Sequence, residues 1–177
     1  MKKDWQIVLA GEGGQGLIVA GRIMSEASIM DGNQVALTSS YGIAARGGYS
    51  EAQVVTSNKE VHYPKCETPD LVLALTSEAY RRYADKISED GLIIYDAEEV
   101  KGAEAEKTAG KNEIAYPFKD VLIELGDMRV INSLFLGVIL KNRSIVSQES
   151  LQKALEKNLP SKVIDLNLKA FKHGLEQ

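Results

Sequence analysis

An α/β fold is what this sequence predicts: a single three-layer Rossmann-like domain over residues 1–177, with a mostly parallel sheet and extra C-terminal helices. Three observations carry that reading. A glycine-rich turn, Gly11-Glu-Gly-Gly-Gln-Gly16, joins the short apolar run Ile7–Ala10 to an amphipathic segment, the strand, loop and helix order of a phosphate or dinucleotide site. Two more compact apolar runs, Asp70–Leu75 and Gly91–Tyr95, are bounded by turn residues and suit strands buried on both faces. The C-terminal third has helical periodicity almost throughout.

Each element follows from its own pattern. After the turn, Leu17, Ala20, Ile23, Met24, Ala27 and Met30 recur at helical spacing, so a helix runs from about Gly16 until Asp31-Gly32-Asn33 stops it. Gln34–Ser39 reads as the second strand. A second glycine segment, Tyr41-Gly-Ile-Ala-Ala-Arg-Gly-Gly48, separates it from a strand over Tyr49–Ser57, and Val61–Tyr63 is a short partner strand ahead of Pro64. Ser77–Ile87 forms a helix with Ser77 as N-cap. The polar stretch Glu98–Lys111 makes a surface excursion, and Asn112–Tyr116 is a strand ended by Pro117. Helices follow at about 118–126, 130–141, 148–158 and 161–173, the third begun by a Ser cap at Ser147. No internal repeat or interdomain linker interrupts the chain.

Composition narrows the function. With 21 basic and 25 acidic residues the net charge is −4, which lacks the positive footprint of a nucleic-acid or anionic-membrane binder. The first apolar stretch is short and contains Gln6, unlike a signal peptide or a membrane span, so a cytoplasmic location is expected. One cysteine, Cys66, supports neither an internal disulfide nor an iron–sulfur cluster ligated by this chain alone. His62 and His173 lie too far apart in sequence to suggest a metal motif, and no Ser–His–Asp or paired-carboxylate arrangement stands out.

The candidate site is therefore the pair of glycine segments: Gly11, Gly13, Gly14, Gln15 and Gly16 in the first, Arg46, Gly47 and Gly48 in the second. Glycines allow a tight turn and close approach of the backbone to a ligand, and a helix N-terminus offers unpaired N–H groups to an anion. Gln15 brings an amide among them, and Arg46 a planar fork for a phosphate or carboxylate. Because each segment follows a strand, both face one edge of the sheet, where α/β proteins gather ligands. Two features oppose a simple dinucleotide site. Glu12 repels a neighbouring phosphate, and the second strand ends in Thr38-Ser39-Ser40 with no acid to hold a ribose hydroxyl. The plainer alternatives are strand-to-helix packing for the first loop and a solvated turn for the second. Asp96, Asn132 and Asn167 are weaker candidates, readable equally as a turn or cap residue and as polar groups satisfied between helices.

The two glycine motifs together resemble the gamma subunit of 2-oxoacid:ferredoxin oxidoreductases. The resemblance continues through Pro64, Thr68-Pro69-Asp70-Leu71 and Asn167-Leu-Lys-Ala-Phe-Lys-His-Gly174, with size and closing helices nearer the 2-oxoglutarate than the pyruvate branch. The segment Ile43-Ala44-Ala45-Arg46 departs from the family pattern, which often carries a glutamate at the position of Ala44. The resemblance implies a complex in which thiamine diphosphate decarboxylates a 2-oxoacid, electrons leave through iron–sulfur clusters to ferredoxin, and the acyl group passes to coenzyme A. Thiamine diphosphate and the clusters would belong to alpha, beta and ferredoxin-like delta partners. This chain would close the active site and help hold coenzyme A, inactive and homodimeric when isolated. The alternative is an independent Rossmann-like nucleotide-binding protein that uses the Gly11–Gly16 loop.

Overall fold

The computed structural model describes residues 4–42, 48–101 and 112–176. Its frame is a six-stranded sheet built from β1 (Asp4–Glu12), β2 (Gln34–Tyr41), β3 (Tyr49–Ser57), β4 (Leu71–Ala74), β5 (Leu92–Asp96) and β6 (Asn112–Tyr116), in the spatial order β2-β3-β1-β4-β5-β6. β1, β4, β5 and β6 are mutually parallel. β3 runs antiparallel to both β1 and β2, so β2 points the same way as β1.

The side chains of β1 divide the layers by simple alternation. Ile7 and Leu9 face a large core closed by α1 (Leu17–Met30), α3 (Phe118–Leu125), α4 (Ile131–Asn142), α5 (Gln148–Asn158) and α6 (Ser161–Glu176). Val8 and Ala10 face a smaller core under α2 (Ser77–Tyr83). All four are fully buried, as are Leu71 to Ala74 on β4, which is why these runs lack polar alternation.

Close approaches fix the helices. A β-carbon on Gly21 would lie 2.8 Å from that of Ala52, so α1 sits hard against β3. α4 and α6 cross at Gly137 and Gly174, where added β-carbons would strike the carbonyls of Phe171 and Leu134 respectively. At the C-terminus of α1, Asp31 accepts bonds from the backbone N–H of Ser147 at 2.5 Å, the Ser147 hydroxyl at 2.8 Å and the Ser150 hydroxyl at 2.6 Å. One carboxylate thus ties α1 to the first turn of α5. Asn132 and Asn167 are satisfied at the α4–α6 interface. Asn132 Oδ1 accepts from Ser133 N–H at 2.8 Å, Ser133 Oγ donates to Asn167 Oδ1 at 2.7 Å, and Asn167 Nδ2 donates to the Val163 carbonyl at 2.8 Å.

Three local expectations are corrected. Val61–Tyr63 forms no strand. Tyr63 is exposed, and the chain is next secured beyond Pro64, where Gln6 Oε1 accepts from Glu67 N–H at 2.7 Å and Thr68 N–H at 3.1 Å. The cap of α2 is Thr76, whose hydroxyl accepts from Ala79 N–H at 3.2 Å, while the Ser77 hydroxyl donates to the Glu99 carbonyl at 2.5 Å. That helix also ends at Tyr83 rather than Ile87. Much of the proposed excursion, residues 102–111, lies outside the described residues.

Candidate functional site

At the carboxyl end of β1 the chain turns on Gly11–Gly16. Gln15 Oε1 accepts the Glu12 N–H at 2.7 Å and Gln15 N–H reaches the Glu12 carbonyl at 3.3 Å, which closes the turn from within. The glutamine oxygen is thus committed inside the loop, an arrangement that glycine at position 11 permits, because a β-carbon there would strike it. Gly14 and Gly16 hold left-handed backbones, with φ of 103° and 73°. Gly16 is also the N-cap of α1, and a β-carbon on it would crowd Asn132 at 3.1 Å.

Gly13 differs from these three. Its backbone is not left-handed, and among the described residues a β-carbon would meet nothing nearer than the Gly48 carbonyl at 3.6 Å, an ordinary contact. No described neighbour therefore requires glycine there, and the residue is exposed. Its N–H donates to that same Gly48 carbonyl at 2.9 Å. The first loop is in this way bonded to the end of the second, and the parallel directions of β1 and β2 bring both to one edge. Arg46 and Gly47 lie outside the described residues; Gly48, Gly11, Gly13, Gly14, Gln15 and Gly16 come together there.

Beside the first loop, beyond β1, β4 and β5, is a crevice of about 170 Å³ lined by Glu12, Gln15, Thr76, Asp96, Glu99 and Lys119, among others. Among its described lining residues three acids accompany one cation, a poor setting for a phosphate. Asp96 is buried: desolvation raises its carboxyl above the usual range, against bonds from the N–H groups of Glu98 and Glu99. With Oδ1 accepting from Glu98 N–H at 2.9 Å, it serves as a turn residue. A pocket for a nucleotide or drug-sized ligand normally needs at least about 300 Å³. The larger cavity of about 770 Å³, lined by Trp5, Asp31, Val146 and Leu175, opens at the opposite edge of the sheet.

β3 explains the missing ribose acid. In a dinucleotide fold the second strand lies directly beside the first, so an acid at its end reaches the ligand. Here β3 intervenes, and the end of β2 is one full strand further away.

Sequence reasoning overlooked a polar network on the α2 side of β3. Glu51 Oε2 accepts the Tyr49 hydroxyl at 2.6 Å and the Tyr83 hydroxyl at 2.7 Å, and Glu51 Oε1 accepts Gln53 Nε2 at 2.9 Å. The signal was the two-residue period of Tyr49, Glu51 and Gln53, which places all three on one face. Cys66 lies at the margin of this network, its N–H bonded to Gln53 Oε1 at 2.9 Å. Burial pushes its thiol up to about 12, so it is a structural thiol rather than a nucleophile. Among the described residues no helix is long and apolar enough to cross a membrane.

A mostly parallel α/β sheet with paired glycine segments at its carboxyl edge, and with a crevice of about 170 Å³ among the described residues beside the first, defines a binding or subunit domain better than a self-contained dinucleotide enzyme. The profile of the family described as pyruvate ferredoxin/flavodoxin oxidoreductase matches residues 6–177, and the chain belongs to that family. Within it, the chain is a gamma subunit of a 2-oxoacid:ferredoxin oxidoreductase. It is 36% identical to the 2-oxoglutarate synthase subunit KorC of Methanocaldococcus jannaschii over 99% of this chain and 95% of the relative. Among solved structures, the gamma subunit of a keto/oxoacid ferredoxin oxidoreductase from Geobacter sulfurreducens superposes with a TM-score of 0.80 at 33% identity, covering 97% of this chain and 96% of that one. The 2-oxoglutarate:ferredoxin oxidoreductase of Magnetococcus marinus, solved with 2-oxoglutarate, coenzyme A and succinyl-CoA bound, superposes with a TM-score of 0.88 at 26% identity. It covers 99% of this chain and 31% of that longer one.

Proposed function

We propose that this chain serves a cytoplasmic 2-oxoglutarate:ferredoxin oxidoreductase as a single-domain subunit whose two glycine loops close the assembled active site and help hold coenzyme A. The observation that carries this reading is Gly13, an exposed glycine that no described neighbour demands, joined through its N–H to the Gly48 carbonyl. A backbone left bare in this way suits close approach by something outside the chain. The small crevice points the same way, since a ligand of coenzyme size must lie largely between this subunit and a partner.

The reaction consumes a 2-oxoacid and coenzyme A, releases carbon dioxide, and passes two electrons through iron–sulfur clusters to ferredoxin. Thiamine diphosphate and the clusters fit the alpha, beta and ferredoxin-like delta partners, because a single cysteine cannot ligate a cluster here. An independent nucleotide-binding role is disfavoured by the interposed β3 and by the acid-lined crevice.

Arg46 is the residue through which to test the reading. In the reconstituted complex, Arg46→Ala should raise the Michaelis constant for coenzyme A or weaken subunit association. Loss of one charge-assisted hydrogen bond corresponds to about 1.5–3 kcal/mol. A variant that folds, assembles and turns over with unchanged constants makes Arg46 a solvated turn residue and removes the second loop from the site.

A further inference from the structure

Resting on the reading that the two glycine segments form a ligand-facing site, we propose that Glu51, with Tyr49 and Tyr83, is a positioning clamp that sets the Gly48 carbonyl against the Gly13 N–H of the first loop. Glu51 itself touches no ligand; it acts through Tyr49.

The clamp is a short chain of bonds. Glu51, 8% exposed on β3, holds the hydroxyls of Tyr49 and Tyr83 on a single carboxylate oxygen, at 2.6 and 2.7 Å. Tyr49 is the first residue after the second loop, and its carbonyl accepts the Gly42 N–H at 2.7 Å, pinning the loop's base. The residue before it, Gly48, gives its carbonyl to the Gly13 N–H at 2.9 Å. Tyr83 lies at the end of α2, and the neighbouring Arg82 guanidinium rests 3.9 Å above the Tyr49 ring. The loop base is consequently tied to α2 on the far side of the sheet as well as to its own hairpin.

Stability alone is a poor reason for this arrangement. The next strands cover the same face with Val8, Ala10, Val72 and Ala74, all fully buried and apolar. A buried carboxylate needs every acceptor site filled, and replacing it by a packed apolar residue is often neutral or stabilising. What the carboxylate adds is direction: it fixes the Tyr49 ring in one place, and with it the adjoining Gly48 carbonyl.

Tyr49→Phe isolates the effect, because it deletes one hydroxyl and keeps the ring beneath Arg82. In the full-length chain, amide exchange at Gly13 should accelerate by about tenfold or more, the lower end of what one hydrogen bond to a charged group supplies, while the rest of β1 keeps its protection. In the assembled complex the Michaelis constant for coenzyme A should rise about three- to tenfold, with that for the 2-oxoacid unchanged. Glu51→Gln should act in the same direction and more strongly. If Glu51→Gln does not fold, Tyr49→Phe alone decides. A purely structural role lowers active protein and melting temperature together and leaves both Michaelis constants and Gly13 exchange where they were; that result overturns the clamp. Gly13→Ala separates the two ideas. If it alters coenzyme A kinetics and Tyr49→Phe does not, the site stands and the clamp fails. If neither alters them, the site reading fails and takes the clamp with it.

Discussion

Replacing Gly13 by alanine should stabilise the chain and impair the complex, two effects of opposite sign from one methyl group. The added β-carbon lies 3.6 Å from the Gly48 carbonyl, and the backbone is outside the left-handed region, so the native loop accepts it without strain. Alanine also has fewer unfolded conformations to lose than glycine. At a compatible site this difference adds about 0.4–1 kcal/mol of stability. For a chain of 177 residues that is a rise in melting temperature of roughly 1–4 °C. Against a ligand or partner packed on the bare backbone, one surplus methyl costs about 1–3 kcal/mol. Since 1.4 kcal/mol is about tenfold, the Michaelis constant for coenzyme A or the subunit dissociation constant should worsen by roughly five- to a hundredfold. Calorimetry on the isolated chain and steady-state kinetics on the complex read the two effects separately. A stabilised variant with unchanged kinetics and assembly would mean that nothing approaches Gly13 and that the loop is no binding surface. Gly11→Ala is the contrast: its β-carbon would strike Gln15 Oε1 and sit 3.0 Å from that of Leu75, so the isolated chain itself should lose stability.

Other consequences are open to direct measurement. Gly174→Ala should destabilise the chain by about 3 kcal/mol or prevent folding, since its β-carbon would meet the Leu134 carbonyl and lie 2.8 Å from Val138 N; thermal denaturation reads this, and a melting temperature within 2 °C, against about 2–4 °C expected for each kcal/mol, would contradict the α4–α6 crossing. Burial pushes the Asp31 carboxyl up, but bonds from Ser150 and Ser147 outweigh it and hold it below the usual range. Its contribution is therefore complete above the unfolded value near pH ~3.9 and lost as pH falls through the lower folded value. Asp31→Asn should cost about 1 kcal/mol at pH 7, discounted for exposure, with the difference shrinking in acid; a pH-independent difference would refute the ionic contribution. Removed from its complex, the chain should self-associate, because β2 is an uncharged edge strand of eight residues with Leu37 39% and Tyr41 71% exposed; light scattering showing a strict monomer at high concentration would argue otherwise.

The sheet and its helices were legible because each apolar run carries its own period and stop signals. Ile7–Ala10 and Asp70–Leu75 read as buried strands, and Leu17, Ala20, Ile23 and Met24 as one helical stripe. What could not be read was pairing. Nothing in Tyr49–Ser57 states that it inserts between β1 and β2, because strand order is decided by the short return of the chain after Tyr41 and by long-range packing. The same limit applied at the site. That the loops share an edge followed from strand order in the chain, whereas the Gly13–Gly48 bond and the different reasons for glycine at 11, 13, 14 and 16 depend on neighbours distant in sequence. The Val61–Tyr63 strand failed because its local propensity was not matched by pairing with either edge of the sheet, β2 or β6.

The 170 Å³ crevice beside the first loop has a thermodynamic corollary. A ligand too large for one chain's cavity, held instead across two, divides its contacts between them, so its affinity and the affinity of the chains for each other become a single linked quantity. Whatever free energy the ligand gains from the second chain, the second chain gains from the ligand. For a shared coenzyme, saturating concentrations tighten the assembly, and dilution that separates the subunits weakens the coenzyme by the same factor.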